Sequence, residues 1–326
     1  MESLLEVRDL TVELSANRGA AVRAVNGASF SIPRGEVVGL IGESGCGKST
    51  TALALLRLLP AAHSAIQGSI RFQGQELMTL DERQLEKFRG AEIALIFQEP
   101  SLALHPMKRV GDQVADVLGV HRGWDRGRCR DEARAALEEV ALGDSERIFL
   151  AYPHQLSGGQ RQRVAIALAL ACKPALVIAD EPTASLDATT QAEILELFRE
   201  LKQRHGIALL IITHNPAILA RIADRVLVMY AGKIIEDGSF EQVIHDPLHP
   251  YTRALIRSLP ARVGESVELK QPLPTIAGSP PDPAFPLPGC AFEPRCAVRM
   301  DVCCARDPLP VSPQSLREVR CFHYGG

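Results

Sequence analysis

Three short stretches carry residues whose types and spacing permit chemistry. GESGCGKST (42–50) places Gly42, Gly47, Lys48 and Ser49 in G-x-x-x-x-G-K-[ST] spacing. Glycines there let successive backbone N–H groups close around phosphate oxygens, the lysine reaches the terminal phosphates, and the serine hydroxyl can ligate Mg²⁺. ALVIADEP (175–182) ends an apolar run on Asp180 and Glu181. One carboxylate in that position can support Mg²⁺, and the next can accept a proton from an attacking water. LSGGQ (156–160) sets Ser157, Gly158 and Gly159 at the head of an apolar helix, a bare N-terminus able to take an anion. Each stretch has a plainer reading, as a glycine-rich turn, a solvated strand end or a helix cap. Their co-occurrence in one chain favours phosphate chemistry.

These residues need strands and helices to hold them. VVGLIG (37–42), IALIFQ (93–98), ALVIAD (175–180) and ALLIIT (208–213) read as strands apolar on both faces. Between them, 130–142 and 188–204 have helical spacing, and the alternation is the α/β signature. RVLVMYAGKIIEDG (225–238) reads as two antiparallel strands around Ala231-Gly232, and 99–165, which lacks a strong strand, as an inserted helical subdomain.

The 326 residues, 46% hydrophobic and 23% charged, suffice for one large domain with an appendage or for two domains. Thirty-six basic against 39 acidic residues, net -3, give no electrostatic case for nucleic-acid binding. The start, MESLLEVRDLTVEL, lacks the charged–apolar–small pattern of a signal peptide, and no run offers the roughly 20 apolar residues of a membrane helix. A soluble, cytosolic protein is expected, in a compartment where disulfides are disfavoured. Composition shifts after about residue 260: LKQPLPTIAGSPPDPAFPLPGC (269–290) is proline-rich and suits an extended tract. A boundary is expected near 250–262, and there is no internal repeat.

Five of the eight cysteines close or follow that tract. Cys290, Cys296, Cys303 and Cys321 are spaced C-x5-C-x6-C-x17-C, with Cys304 to spare. Four thiolates suit Zn²⁺ or an iron–sulfur cluster. The gaps are wider than those of zinc knuckles, which tilts the reading towards a [4Fe–4S] cluster with zinc as the alternative. Free thiols packing a small domain are the plainer reading. Cys129 and Cys172 belong to that class, as does Cys46, although its place in the loop suggests sensitivity to oxidation.

In order along the chain come the loop 42–50, Gln98 after a strand, LSGGQ, the pair 180–181, SLD (185–187) and His214 after a strand. This series resembles the nucleotide-binding subunits of ATP-binding cassette (ABC) transporters over residues 1 to about 250. The resemblance implies a P-loop ABC-type α/β domain with a mixed sheet core, an antiparallel β subdomain and a helical subdomain, followed by a small Cys-rich extension over 251–326. It implies that two such domains pair head to tail around two ATP molecules. Gly42, Ser44, Gly45, Cys46, Gly47, Lys48, Ser49 and Thr50 would then cradle the nucleotide. Ser49, Gln98 and Asp180 would hold Mg²⁺, Glu181 would be the general base, and His214 would contact the γ-phosphate. Ser157, Gly158, Gly159 and Gln160 would face the partner's ATP, and Asp187 would link the two sites. The family usually stacks an aromatic ring on adenine, yet residues 1–29 contain no Phe, Tyr or Trp. Val22 stands near that place, with Arg23 or Arg18 available to cover the base.

EPSLALHPMKRVGDQV (99–114), HDPLHPYTRALIRSLP (245–260) and the tail GCAFEPRC (289–296) are similar to the oligopeptide, dipeptide and nickel importer subfamily, with His105 where asparagine is usual. That implies a second ATPase, paralogous or a second copy, and two permease subunits docked on 99–107. An extracytoplasmic solute-binding protein would take part indirectly, and the chain would sit peripherally on the cytoplasmic face of the inner membrane. The alternatives are a soluble ABC ATPase with a mechanical role, or a redox- or metal-regulated ATPase. The first would usually show a coiled-coil insertion, a second cassette or a basic arm, and none is present.

Overall fold

The computed structural model describes residues 3–15, 21–259, 275–285 and 287–325. Arg18, residues 269–274 and 286 of the proline-rich stretch, and 260–262 of the expected boundary lie outside the described residues. In chain order the strands are β1 (Ser3–Ser15), β2 (Ala21–Pro33), β3 (Val37–Ile41), β4 (Ser64–Phe72), β5 (Gln75–Glu76), β6 (Ile93–Ile96), β7 (Leu176–Asp180), β8 (Ala208–Thr213), β9 (Arg225–Tyr230), β10 (Lys233–Ser239), β11 (Val311–Gln314) and β12 (Arg317–Val319). The chain divides into two compact units, one built mainly of Thr79–Ile212, the other of Leu5–Ile32, Val37–Met78 and Thr213–Gly326.

In the first unit, β6 and β7 run parallel, as do β7 and β8. All six residues of β8 are buried, as expected of a parallel strand covered on both faces. Helices Val110–Arg122, Arg126–Glu139, Ser145–Leu150 and Gly158–Leu170 pack on one another around Val114, Leu118, Leu137, Phe149 and Val164. Gly111 leaves room for the Phe149 ring, which would stand 2.2 Å from a Cβ at that position. The helix expected over 130–142 begins and ends earlier. Asp125 caps its start through Gly127 N and Arg128 N, and it stops at Glu139, before Ala141 turns to φ 53°. The helix expected over 188–204 runs Ala188–His205 and ends at Gly206 in the left-handed region.

The second unit holds an antiparallel sheet in the order β2-β1-β4-β5. It also holds β3 parallel to β9, β9 antiparallel to β10, and β10 antiparallel to β12. Ala231 (φ 46°) and Gly232 (φ 79°) make the two-residue turn between β9 and β10. The end of the chain joins this sheet where Val319 pairs with Glu236. Arg317 and Glu236, both fully buried as side chains, form an ion pair at 2.9 Å. Glu236 also accepts from Leu248 N and His249 N, each at 2.8 Å, which fixes the start of helix Pro250–Arg257. Leu248, Val319 and Cys321 form a small apolar cluster with Val311 and Tyr324 against it. Among the described residues no helix is long and apolar enough to cross a membrane.

Candidate functional site

The loop 42–50 leaves the end of the fully buried β3 and enters helix Lys48–Leu55. Gly47 has φ 109°, and a Cβ there would lie 2.3 Å from the Ala24 carbonyl oxygen, so both the turn and the close approach require glycine. Lys48 is 7% exposed, and its Nζ donates to the carbonyls of Gly42 (2.8 Å) and Glu43 (3.0 Å). Its charge is thus held inside the loop curl. Ser44, Gly45 and Ser49 are exposed and Thr50 half-buried, so amides and hydroxyls face outward where an anion can meet the helix N-terminus. Cys46 is buried, and burial pushes its thiol up, which removes the thiolate character an oxidation-sensitive cysteine needs.

Sequence reasoning missed what braces this loop. Arg295 makes a bidentate pair with Glu43, Nη1 to Oε2 at 2.7 Å and Nη2 to Oε1 at 3.0 Å, with the arginine side chain 4% exposed. Its Nη1 also donates to Tyr230 Oη (3.2 Å) and its Nε to Ala277 O (2.9 Å). Hydrogen bonding to Glu43 holds the guanidinium well above the usual arginine range. Glu43 N donates to Tyr251 Oη at 2.8 Å. Tyr230, Tyr251 and Phe292 pack as an aromatic trio with ring centroids 4.5–5.5 Å apart. Gly232 N donates to Cys46 O (2.9 Å), fastening the β9–β10 turn beneath the loop. The arginine lies inside the PRC string, where the flanking cysteines drew the attention.

The other expected residues lie chiefly in the first unit. Ser157 caps helix Gly158–Leu170 in a reciprocal box, its Oγ accepting from Gln160 N (3.2 Å) and its N donating to Gln160 Oε1 (3.0 Å). Ser157 and Gly158 are exposed, and a Cβ on Gly159 would meet Thr190 Cγ2 at 2.9 Å. Gln98 is exposed just after β6. Asp180 ends β7, and Glu181 follows with φ 47°, a left-handed backbone unusual for glutamate, pinned by its N–H to Ile212 O at 2.9 Å. Asp187 caps helix Ala188–His205, and hydrogen bonds from Thr190 hold its carboxyl below the usual range. His214, in the second unit, is exposed one residue past β8. Segment 99–107 contains a helical turn at Pro100–Ala103.

The cysteine tail needs a correction. All eight cysteines are free, and among the described residues no three His, Cys, Asp or Glu side chains are grouped to hold a metal ion. The arrangement therefore supports neither the iron–sulfur nor the zinc reading. Burial pushes Cys290 up to about 11, with Cys303, Cys321 and Cys296 adding in the same direction. Backbone packing dominates here: Cys290 N donates to Cys303 O at 2.8 Å, and a Cβ on Gly289 would sit 2.2 Å from that same oxygen.

A glycine-rich loop between a buried parallel strand and a helix, with acids closing a second parallel strand, defines a P-loop nucleotide-binding protein of the α/β class. Residues 25–184 match the family model described as ABC transporter, and 235–303 that of the oligopeptide/dipeptide transporter C-terminal region. The chain is 42% identical to the oligopeptide transport ATP-binding protein AppD of Bacillus subtilis over 99% of this chain and 98% of that protein. It is 43% identical to OppD of Salmonella typhimurium, with 98% and 93% covered. Among solved structures, the dimeric ATP-binding cassette MJ0796 bound to ADP and Pi matches at TM-score 0.64 and 28% identity, covering 72% of this chain and 98% of that one. The chain belongs to the ATP-binding subunits of the ABC transporter family.

Proposed function

We propose that the chain hydrolyses ATP to power an importer of oligopeptides or dipeptides, nickel being a related possibility for the solute. The single observation that carries this is the loop 42–50, with Lys48 curled into it, in a chain matching peptide-transport ATP-binding proteins over nearly its whole length. The loop amides and Lys48 take the β- and γ-phosphates. Ser49, Gln98 and Asp180 would hold Mg²⁺, an all-oxygen donor set suited to a hard cation. Glu181 accepts the proton of the attacking water, its carboxylate aimed by the constrained backbone, and His214 contacts the γ-phosphate. Ser157, Gly158, Gly159 and Gln160 face the ATP of a second ATPase, paralogous or identical, with Asp187 linking the two sites.

Two permease subunits are the membrane partners at the cytoplasmic face of the inner membrane, and a solute-binding protein acts through them. Segment 99–107 is the docking candidate, because Leu102 and Met107 are 71% and 79% exposed there. The proposed organisation is a nucleotide-binding domain over 1–250, with a helical subdomain at 99–165, and a Cys-rich extension over 251–326. A [4Fe–4S] cluster on Cys290, Cys296, Cys303 and Cys321, with zinc the alternative, rests on the sequence spacing C-x5-C-x6-C-x17-C alone. Anaerobic purification followed by iron and sulfide assay decides it; a colourless protein without iron removes the cluster.

Glu181→Gln tests the ATPase reading. Turnover in the assembled transporter should fall by about 10²- to 10⁴-fold while ATP binding persists and a dimer is trapped. Unchanged turnover would refute the role given to Glu181.

A further inference from the structure

Beside the phosphate loop lies a cleft whose empty space, solvent at its mouth included, is about 740 Å³. It is lined by Arg23, by Ser44 and Gly45 of the loop, and by Pro281, Pro283 and Phe285 of the proline-rich tail. Two fastenings hold the tail there. Arg23 N donates to Pro283 O at 3.3 Å, and Arg295 clamps Glu43 ten residues beyond Phe285. Residues 43–46 of the loop line the cleft, so a ligand anchored on the loop by phosphate can extend into it.

Its wall chemistry selects the rest of that ligand. A phenyl ring, prolines and a guanidinium can all stack on a flat π-system. Phe285 is 75% exposed and Leu287 41%, so the tail presents apolar surface that a planar group would cover. The first aromatic residue of the chain, Phe30 in β2, is buried and does not line the cleft, so β1 and β2 add no ring to it.

Resting on the nucleotide-binding reading of the loop, we propose that Phe285 stacks on the nucleobase of the bound nucleoside triphosphate, in a cleft that Arg23, paired to Glu13 at 2.8 Å, also lines. The C-terminal tail thereby completes the base half of a site whose phosphate half is built by residues 42–50. This answers how adenine is held without the aromatic residue usual near Val22.

The test uses the full-length chain with two probes, ATP and inorganic tripolyphosphate, which lacks a base. Phe285→Ala should weaken ATP by about 5- to 150-fold, the span of aromatic–base stacking, and leave tripolyphosphate unchanged. Phe285→Trp should restore ATP affinity and add a fluorescence signal that ATP quenches and tripolyphosphate does not. Unchanged ATP affinity in Phe285→Ala, or equal losses for both probes, would overturn the stacking role. Lys48→Ala serves as the separate control: if it left both probes bound as before, the nucleotide reading of the loop itself would fail.

Discussion

The phosphate loop and the LSGGQ helix head are both anion-binding candidates at helix N-termini, yet they are held in opposite ways. Ser157 and Gln160 satisfy each other within one turn, at 3.0 and 3.2 Å, and Ser157 stays exposed. The loop is held from far along the chain: Arg295 and Glu43 are 252 residues apart, and Tyr251 reaches Glu43 N from 208 residues away. A locally capped helix can present its amides to a partner whatever the rest of the chain does. A loop braced by the C-terminal tail keeps its shape only while that tail is docked. The nucleotide end of this chain is therefore conditional on its last forty residues in a way the LSGGQ end is not.

Breaking the tail's attachment should have the largest effect on stability. Arg317→Ala leaves the buried Glu236 carboxylate without its cation and should destabilise the second unit by about 3–5 kcal/mol, read by denaturant unfolding. Calorimetry that leaves the first unit's transition in place would sharpen the contrast between the two regions; a loss confined to the first unit would break it.

Acid should act on the same attachment. His249 is buried, its Nδ1 accepting from Tyr251 N at 3.0 Å, and desolvation pushes its pKa down to about 3, with the Arg253 charge helping and a hydrogen bond to the Arg320 backbone opposing. The folded state holds the ring neutral, while the unfolded chain protonates it below about 6.5. Stability is thus unaffected above that pH and falls by about 1.4 kcal/mol per pH unit between 6.5 and 3. Asparagine offers an acceptor in place of Nδ1, so unfolding of His249→Asn should lose this slope; an unaltered pH profile would remove His249 as its source.

Smaller effects separate the two anion sites. Arg295→Ala removes charge-assisted hydrogen bonds to Glu43 and should cost about 1.5–3 kcal/mol, together with nucleotide affinity. Ser157→Ala should cost about 1 kcal/mol as a lost cap, seen in thermal unfolding.

Local features were legible in the sequence. The strand at 208–213 has the bounds its apolar run implies, and Ala231-Gly232 turns between β9 and β10, because a two-residue turn and a buried strand are written in adjacent residues. LSGGQ announced its own cap for the same reason. Arg295, Tyr230, Tyr251 and Arg317 were not legible as braces, since Glu43, Arg295 and Glu236, which they bond, lie 65 to 252 residues away and an arginine between two cysteines has no periodicity. The cysteine spacing suggested ligands, while the folded chain spends that segment on backbone packing around Gly289. Glu181 was legible as an acid at a strand end but not as a residue at φ 47°.

The most direct test measures ATP affinity of the isolated chain, at a concentration that keeps it monomeric, for Arg295→Ala beside Ser157→Ala. Tail bracing predicts weaker ATP binding in Arg295→Ala and unchanged binding in Ser157→Ala, whose side chain is proposed to serve the partner's nucleotide. Wild-type affinity in Arg295→Ala, with a loss in Ser157→Ala, would contradict it.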